Sequence, residues 1–483
     1  LQIPSGFEVD FHGKTLVNAG ILIREIITRS ISFMLNPLQA SAQQLAAAIR
    51  NREITSVEVV EAHIQHIQRR NTVLNAVVET RFEQARLEAQ AADIAVLSGQ
   101  PLPALHGVPC TTKENFALKG FRQVSGQLAR RDFVADTTAP AIQKMQAAGL
   151  IILGTTNTPE LCMWMETNNL VYGRTRNPYN PAHTVGGSSG GEGAIIGAGA
   201  SPVGLGADVG GSIRFPAFFN GVFGHKPTPH YIPNDGQHPL PVGKMNEHCV
   251  TGPLARRAED LWPLLQVLAD QPFKGDPHTA KVRRVFTGGT RKIAADLRQA
   301  QGQAAQFLQA QPLPEWPELR QAFQIWGAAM RAAEPTPFAQ QMAVKNWPME
   351  VFKVLRGQAE HTVPALALAA VELLPMSVGK YLKITDTLKQ RFIDLLGDDG
   401  VLLYPPYSRA APKHNAPLLT PFDFVYCGLF NALGFPSSQV PLGLNAQGLP
   451  LGTQVVAAPH QDALCVATAL KLEQQFGGWT MPV

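Results

Sequence analysis

The chain has 483 residues, 45% hydrophobic and 16% charged, with a formal net charge of +4. That profile belongs to a globular protein with a large core. Its basic residues come as scattered pairs such as Arg69-Arg70, Arg130-Arg131 and Arg283-Arg284, which argues against nucleic acid as a partner.

Residues 1–39 read as an N-terminal extension. Within it "LVNAGILIREIITRSISFML" (16–35) is the nearest thing to a membrane segment, but Asn18, Arg24, Glu25 and Arg29 interrupt it. No span is expected. An amphipathic helix, packed on the body or touching a surface, leaves peripheral membrane contact open. Met34 would also serve as a natural start, placing residues 1–33 outside the fold.

Residues 40–483 read as a single domain. Ser41 with Gln44, and Thr55 with Glu58, have capping-box spacing and open two helices. In the second, Val57, Val60, Ile64 and Ile67 form one apolar stripe, while His63 and His66 read as a polar face, a third metal ligand being absent. "AVVE" predicts a short strand and "RFEQARLEAQAADIAVL" a helix. "GVPCTTKENF" predicts a strand entering a loop, and "GLIILGTTN" (149–157) a buried parallel strand. "RRVFT", "VLLYPP" and "TQVVAAP" predict further strands between helical stretches. The class is α/β, with a mostly buried central sheet covered by helices. Around 320–380, Trp326, Met330, Phe338, Met342, Trp347, Met349, Phe352 and Leu355 cluster among prolines. They read either as core helices or as a hydrophobic cap over a substrate channel. The five cysteines (Cys110, Cys162, Cys249, Cys427, Cys465) are far apart and form no C-x-x-C. That argues against a disulfide framework or a zinc ribbon and suits a reducing, cytoplasmic setting.

The stretch at 185–221, "VGGSSGGEGAIIGAGASPVGLGADVGGSIRFPAFFNG", is unusually rich in glycine. A dinucleotide fingerprint fails because Val209 occupies the third glycine position. A P-loop fails because no lysine follows these glycines until Lys226. "GGSSG" matches a nucleophile elbow at Ser188, but "NPYNPAHTV" before it has loop chemistry rather than the strand an elbow requires. A further reading uses both serine clusters. Glycines before Ser212 expose consecutive N–H groups, as an oxyanion hole requires. No histidine is local to Ser212, whereas Lys113 lies in the strand-like "GVPCTTKENF". Alternation puts Thr111 and Lys113 on one strand face and Glu114 on the other, so Glu114 would not hold Lys113 charged.

Lys113 in "GVPCTTKE", Ser188 in "GGSSGGEG" and Ser212 in "GADVGGSIRFP" together resemble the amidase signature family of serine hydrolases. The likeness runs from about residue 40 to the C-terminus and includes "NGVFGHKPT" and "FNALGFPSSQVPLGLNAQGLPLGTQVV". "ELCMW", "LLGDDGVLLYP", "APKHNAPL" and "FGGW" are most similar to the fatty acid amide hydrolases of type 2.

The resemblance implies the amidase signature fold, a mixed sheet with helices on both faces. It implies Ser212 as nucleophile, Ser188 as a proton relay preceded by a cis peptide bond, and Lys113 as base. It also implies an oxyanion hole from the N–H groups of Val209, Gly210, Gly211 and Ser212, with Ser189, Asp208 and Arg214 bracing the site. Cys162, Met163, Trp164 and Met165 fall where relatives line the acyl pocket, with plain core packing the other reading. No metal and no cofactor are implied. The expected enzyme is an amidohydrolase of linear apolar acyl amides working through an acyl-enzyme, as monomer or homodimer, on a small-molecule substrate. A carbamate or ester presents a similar carbonyl and stays open. An amidotransferase subunit working on tRNA with partner subunits is a reading of another class, and a non-catalytic binding role is a third.

Overall fold

The structure, a computed structural model, describes residues 35–289, 292–333, 336, 338–342, 344, 347–372 and 375–482. Nearly all of the expected N-terminal helix therefore lies outside the described residues.

In chain order the strands are β1 (Val77–Thr80), β2 (Pro109–Lys113), β3 (Ile151–Thr156), β4 (Asn168–Asn169), β5 (Gly173–Arg174), β6 (Val203–Asp208), β7 (Phe223–Lys226), β8 (Val250–Ala255), β9 (Arg284–Thr287), β10 (Gln311–Pro312), β11 (Gly400–Tyr404), β12 (Ser437–Leu444) and β13 (Pro450–Ala457). β4 and β5 form a separate two-residue ribbon. The other eleven make one sheet in the order β1-β3-β2-β6-β8-β7-β12-β13-β11-β9-β10. The sheet is mixed: β2 runs parallel to both β3 and β6, and β6 antiparallel to β8. Every residue of β2, β3, β6, β7, β8, β11 and β13 is buried. Side chains alternate between faces, so complete burial means that both faces are covered.

Both capping boxes form: Ser41 and Gln44 cap helix Ala42–Arg50, and Thr55 and Glu58 cap helix Ser56–Leu74. The apolar stripe needs one correction. Val60, Ile64 and Ile67 are buried, but Val57 in the first turn is exposed and Val59 is buried instead. His63 is also no polar face. It is fully buried, its Nδ1 lies 2.8 Å from the Val59 carbonyl, and burial pushes its pKa down to about 3. His66 Nε2 meets the Ala198 carbonyl at 2.9 Å.

β6 is the element that composition hides, for it runs through "VGLGAD" inside the glycine-rich stretch. Its glycines answer to packing. A Cβ on Gly204 would stand 1.8 Å from Glu192 Oε2, and one on Gly206 2.8 Å from both Ser189 Oγ and Leu254 Cδ1. Gly191 and Gly193 sit in helix Gly190–Gly197, where a Cβ would meet Asn157 N at 2.4 Å and Pro216 O at 2.7 Å. Much of the glycine thus brings one short helix close onto the sheet, a packing role beside the chemical one that the sequence suggested.

Candidate active site

Lys113 ends β2, and Asp208 ends the parallel strand β6. Both lie at the carboxyl edge of adjacent parallel strands, where open α/β sheets bind ligands. Ser188 sits in the turn before helix Gly190–Gly197, and the Gly187–Ser188 peptide bond is cis. Ser212 follows β6 in the turn before helix Arg214–Phe219.

These three side chains converge. Lys113 Nζ donates to Ser188 Oγ at 2.7 Å, and Lys113 is wholly buried. Lys113, Ser188 and Ser212 line one cavity of about 520 Å³, and no histidine lines it among the described residues. Glu114 points elsewhere, as alternation requires: its carboxyl accepts from the Val124 and Ser125 N–H groups and from Tyr172. Thr111 faces the same way as Lys113, and its hydroxyl donates to Glu192 at 2.8 Å. Thr156, the register partner of Lys113, donates to the other Glu192 oxygen at 2.9 Å. Burial pushes Glu192 up to about 8, against these hydroxyl donors.

The turn carrying Ser212 is held by an ion pair inside the protein. Asp208 and Arg214 are both fully buried and form two hydrogen bonds of 2.9 and 3.0 Å. Burial alone would raise the Asp208 pKa, but the guanidinium holds it well below the usual carboxylate range. Asp208 Oδ1 and Oδ2 also accept the N–H groups of Gly211 (2.7 Å) and Ile213 (3.1 Å). Ser189 donates its N–H to the Ser212 carbonyl at 3.1 Å.

One expected donor is thereby reassigned. The Gly211 N–H is engaged by the Asp208 carboxylate and is not available to an oxyanion. Gly211 instead supplies the turn itself, with φ of 119° and no room for a Cβ, which would sit 1.8 Å from Phe215 Cε1. No such engagement is seen for the N–H groups of Val209, Gly210 and Ser212 among the described residues.

Comparison with known proteins adds the family. The family model described as Amidase matches residues 58–300. Fatty-acid amide hydrolase 2-A of Danio rerio is 44% identical over 92% of this chain and 91% of that protein. Fatty-acid amide hydrolase 2 of Homo sapiens is 41% identical over 92% of this chain and 90% of that protein. A solved structure described as fatty acid amide hydrolase superposes with a TM-score of 0.75, at 19% identity, covering 98% of this chain and 92% of that one; at that identity it shows the fold alone. The chain belongs to the amidase family.

The amidase has a second cavity of about 180 Å³ that also reaches Ser212, walled almost wholly by apolar side chains. Cys162 and Met163 line both cavities, Trp164 and Met165 the smaller one. From the region expected to be core or cap, Phe323, Trp326, Leu368 and Val371 line both. This amidase also uses residues that sequence reasoning did not single out. Asn431 donates to the Asp208 carboxylate at 2.9 Å and to its carbonyl at 3.1 Å, and Gln454 accepts from Arg214 at 2.9 Å. Both lie within "FNALGFPSSQVPLGLNAQGLPLGTQVV", so the motif was visible while the roles of its polar residues were not.

A Ser–His–Asp arrangement does occur in the amidase, away from the site. His225 lies 2.8 Å from Ser438 Oγ and 3.1 Å from Asp462 Oδ1. All three are buried and neither cavity reaches them, so they tie β7, β12 and helix Asp462–Phe476 together. Among the described residues no helix is long and apolar enough to cross a membrane.

Proposed function

We propose that this amidase is a serine hydrolase of apolar acyl amides, with Ser212 as nucleophile, Ser188 as relay and Lys113 as base. The observation that carries the reading is the 2.7 Å contact between a wholly buried Lys113 and Ser188, on the wall of the cavity that holds Ser212. A wholly buried amine in direct hydrogen-bond contact with a serine hydroxyl is placed to exchange a proton with it.

Ser212 Oγ attacks the amide carbonyl while its proton passes through Ser188 to Lys113. The developing oxyanion is received by the N–H groups of Val209, Gly210 and Ser212, each such donor being worth about 3–4 kcal/mol in the transition state. The proton then returns through Ser188 to the departing nitrogen, which an amide needs because its anion is a poor leaving group. The C–N bond breaks, the amine leaves, and water releases the acyl group from Ser212 by the same route. The apolar walls at Trp164, Met165 and Phe424 support an apolar acyl or aryl group.

The test is hydrolysis of acyl p-nitroanilides from acetyl to palmitoyl, beside Ser212→Ala. Rates that rise with chain length and vanish in the variant are expected. Rates confined to short acyl groups keep the mechanism and remove the fatty-amide assignment. Turnover of carbamates or esters alone would reassign the substrate, and activity persisting in Ser212→Ala would overturn the mechanism.

A further inference from the structure

The turn from Asp208 to Ile213 is fastened peptide by peptide. The Asp208 carbonyl is held by Asn431, the Gly211 and Ile213 N–H groups by the Asp208 carboxylate, and the Ser212 carbonyl by Ser189. All of these partners are buried polar residues packed around the end of β6. The Val209 carbonyl is different. Its partner is the indole of Trp326, whose Nε1 donates to it at 2.9 Å.

Trp326 belongs to helix Ala322–Ala333, which starts the hydrophobic region over the cavities. The indole is itself held in place. It is nearly buried, and Phe424 meets it edge-on at 4.7 Å between ring centroids. Its slot is made by absent side chains: a Cβ on Gly428 would stand 3.2 Å from Trp326 Cδ1, and one on Gly210 3.4 Å from Nε1. Trp326 also lines both cavities, so a substrate reaching Ser212 packs against the same ring.

A peptide group is planar, so fixing the Val209 carbonyl fixes the direction of the Gly210 N–H across the same bond. Gly210 has no side chain to set that direction by packing. Oxyanion donors act only when they are aimed before the reaction, and a lapse of 10–20° is enough to lose much of their effect.

We propose that Trp326 is a positioning residue for the amidase reaction. From the region that contacts substrate, it sets the plane of the Val209–Gly210 peptide and so aims the Gly210 oxyanion donor. This rests on the reading of Ser212 as nucleophile and of that turn as the oxyanion hole. A ring that merely lines the cavity would affect how tightly substrate binds. A ring that aims a donor affects the transition state and leaves ground-state binding nearly untouched.

The experiment compares wild type with Trp326→Phe, which keeps an aromatic wall and removes the indole N–H. On a long-chain acyl p-nitroanilide, kcat is expected to fall at least tenfold while KM stays within threefold. An alkyl trifluoromethyl ketone, whose adduct with Ser212 places an oxyanion in the hole, is expected to bind more weakly by about the same factor as kcat/KM. A rise in KM with kcat held, or undiminished ketone binding, would overturn the proposal. Should Trp326→Phe not fold, Phe424→Leu loosens the indole and is expected to lower kcat in the same direction. An unchanged kcat there overturns the proposal equally. Ser212→Ala measured alongside separates the two failures, since turnover in that protein would sink the nucleophile assignment instead.

Discussion

Replacing Arg214 by methionine would leave the Asp208 carboxylate buried with its cation gone while two backbone N–H groups still depend on it. Breaking one side of a buried pair typically costs about 3–5 kcal/mol. Arg214→Met is therefore expected to lower the unfolding free energy by that order, read as a lower urea midpoint at unchanged m-value, and to remove activity together with it. At this scale residue type and flanking motif singled out Lys113, Ser188 and Ser212, which the fold brings to one cavity wall. It failed at Gly211, because whether a glycine N–H faces a ligand or a neighbouring carboxylate depends on backbone direction, which no residue type encodes. Asn431 and Gln454 were missed for a related reason. An amide side chain in an apolar motif signals that something polar must be satisfied, but the partner, more than 200 residues away, is set by the fold.

Among the elements, the short turn Glu160–Cys162 connects the cavity wall to the region above it. Glu160 accepts from the Thr362 N–H at 2.8 Å and lies 2.7 Å from His361 Nδ1, while Leu161 and Cys162 line the larger cavity. The bond to Glu160 raises the His361 pKa, with Glu350 and Glu360 adding to it and partial burial opposing. A histidine whose pKa is raised on folding contributes its full stabilisation below its unfolded value, about 6.5. It loses that contribution as pH climbs through the folded value. His361→Gln is expected to be less stable than wild type at pH 6 and nearly equal to it at pH 9. The difference in urea midpoint across that range checks this, and a constant difference would refute it. Elements with a clear period or cap were readable in advance, among them helix Ser56–Leu74 and β3. β6 was not, because its glycines follow from Glu192 and Ser189 pressing on the strand, and close approach by another element leaves no periodic trace.

For the whole molecule, one sheet draws strands from residues 77 to 457. Neither half of the chain owns a complete sheet, which supports a single cooperative unit over the described body. Urea unfolding followed by far-ultraviolet circular dichroism and by tryptophan fluorescence is expected to give coincident transitions. Two separated transitions would instead divide the chain into units. The α/β class was legible from alternation of strands and helices, but the order of eleven strands was not. Strand order depends on which apolar runs find each other across long separations, and single-strand patterns are silent on that.

The bracing of the nucleophile turn also sets a timetable. Arg214 and Gln454 are 240 residues apart, an interval that a ribosome covers in about 12–50 s at typical synthesis rates. Throughout that time the emerging chain carries Lys113, Ser188 and Ser212 without the amides that complete the Asp208–Arg214 pair. The pair that holds the Ser212 turn thus receives its last two polar partners, Asn431 and Gln454, only after the strands and helices that carry the turn itself have been made.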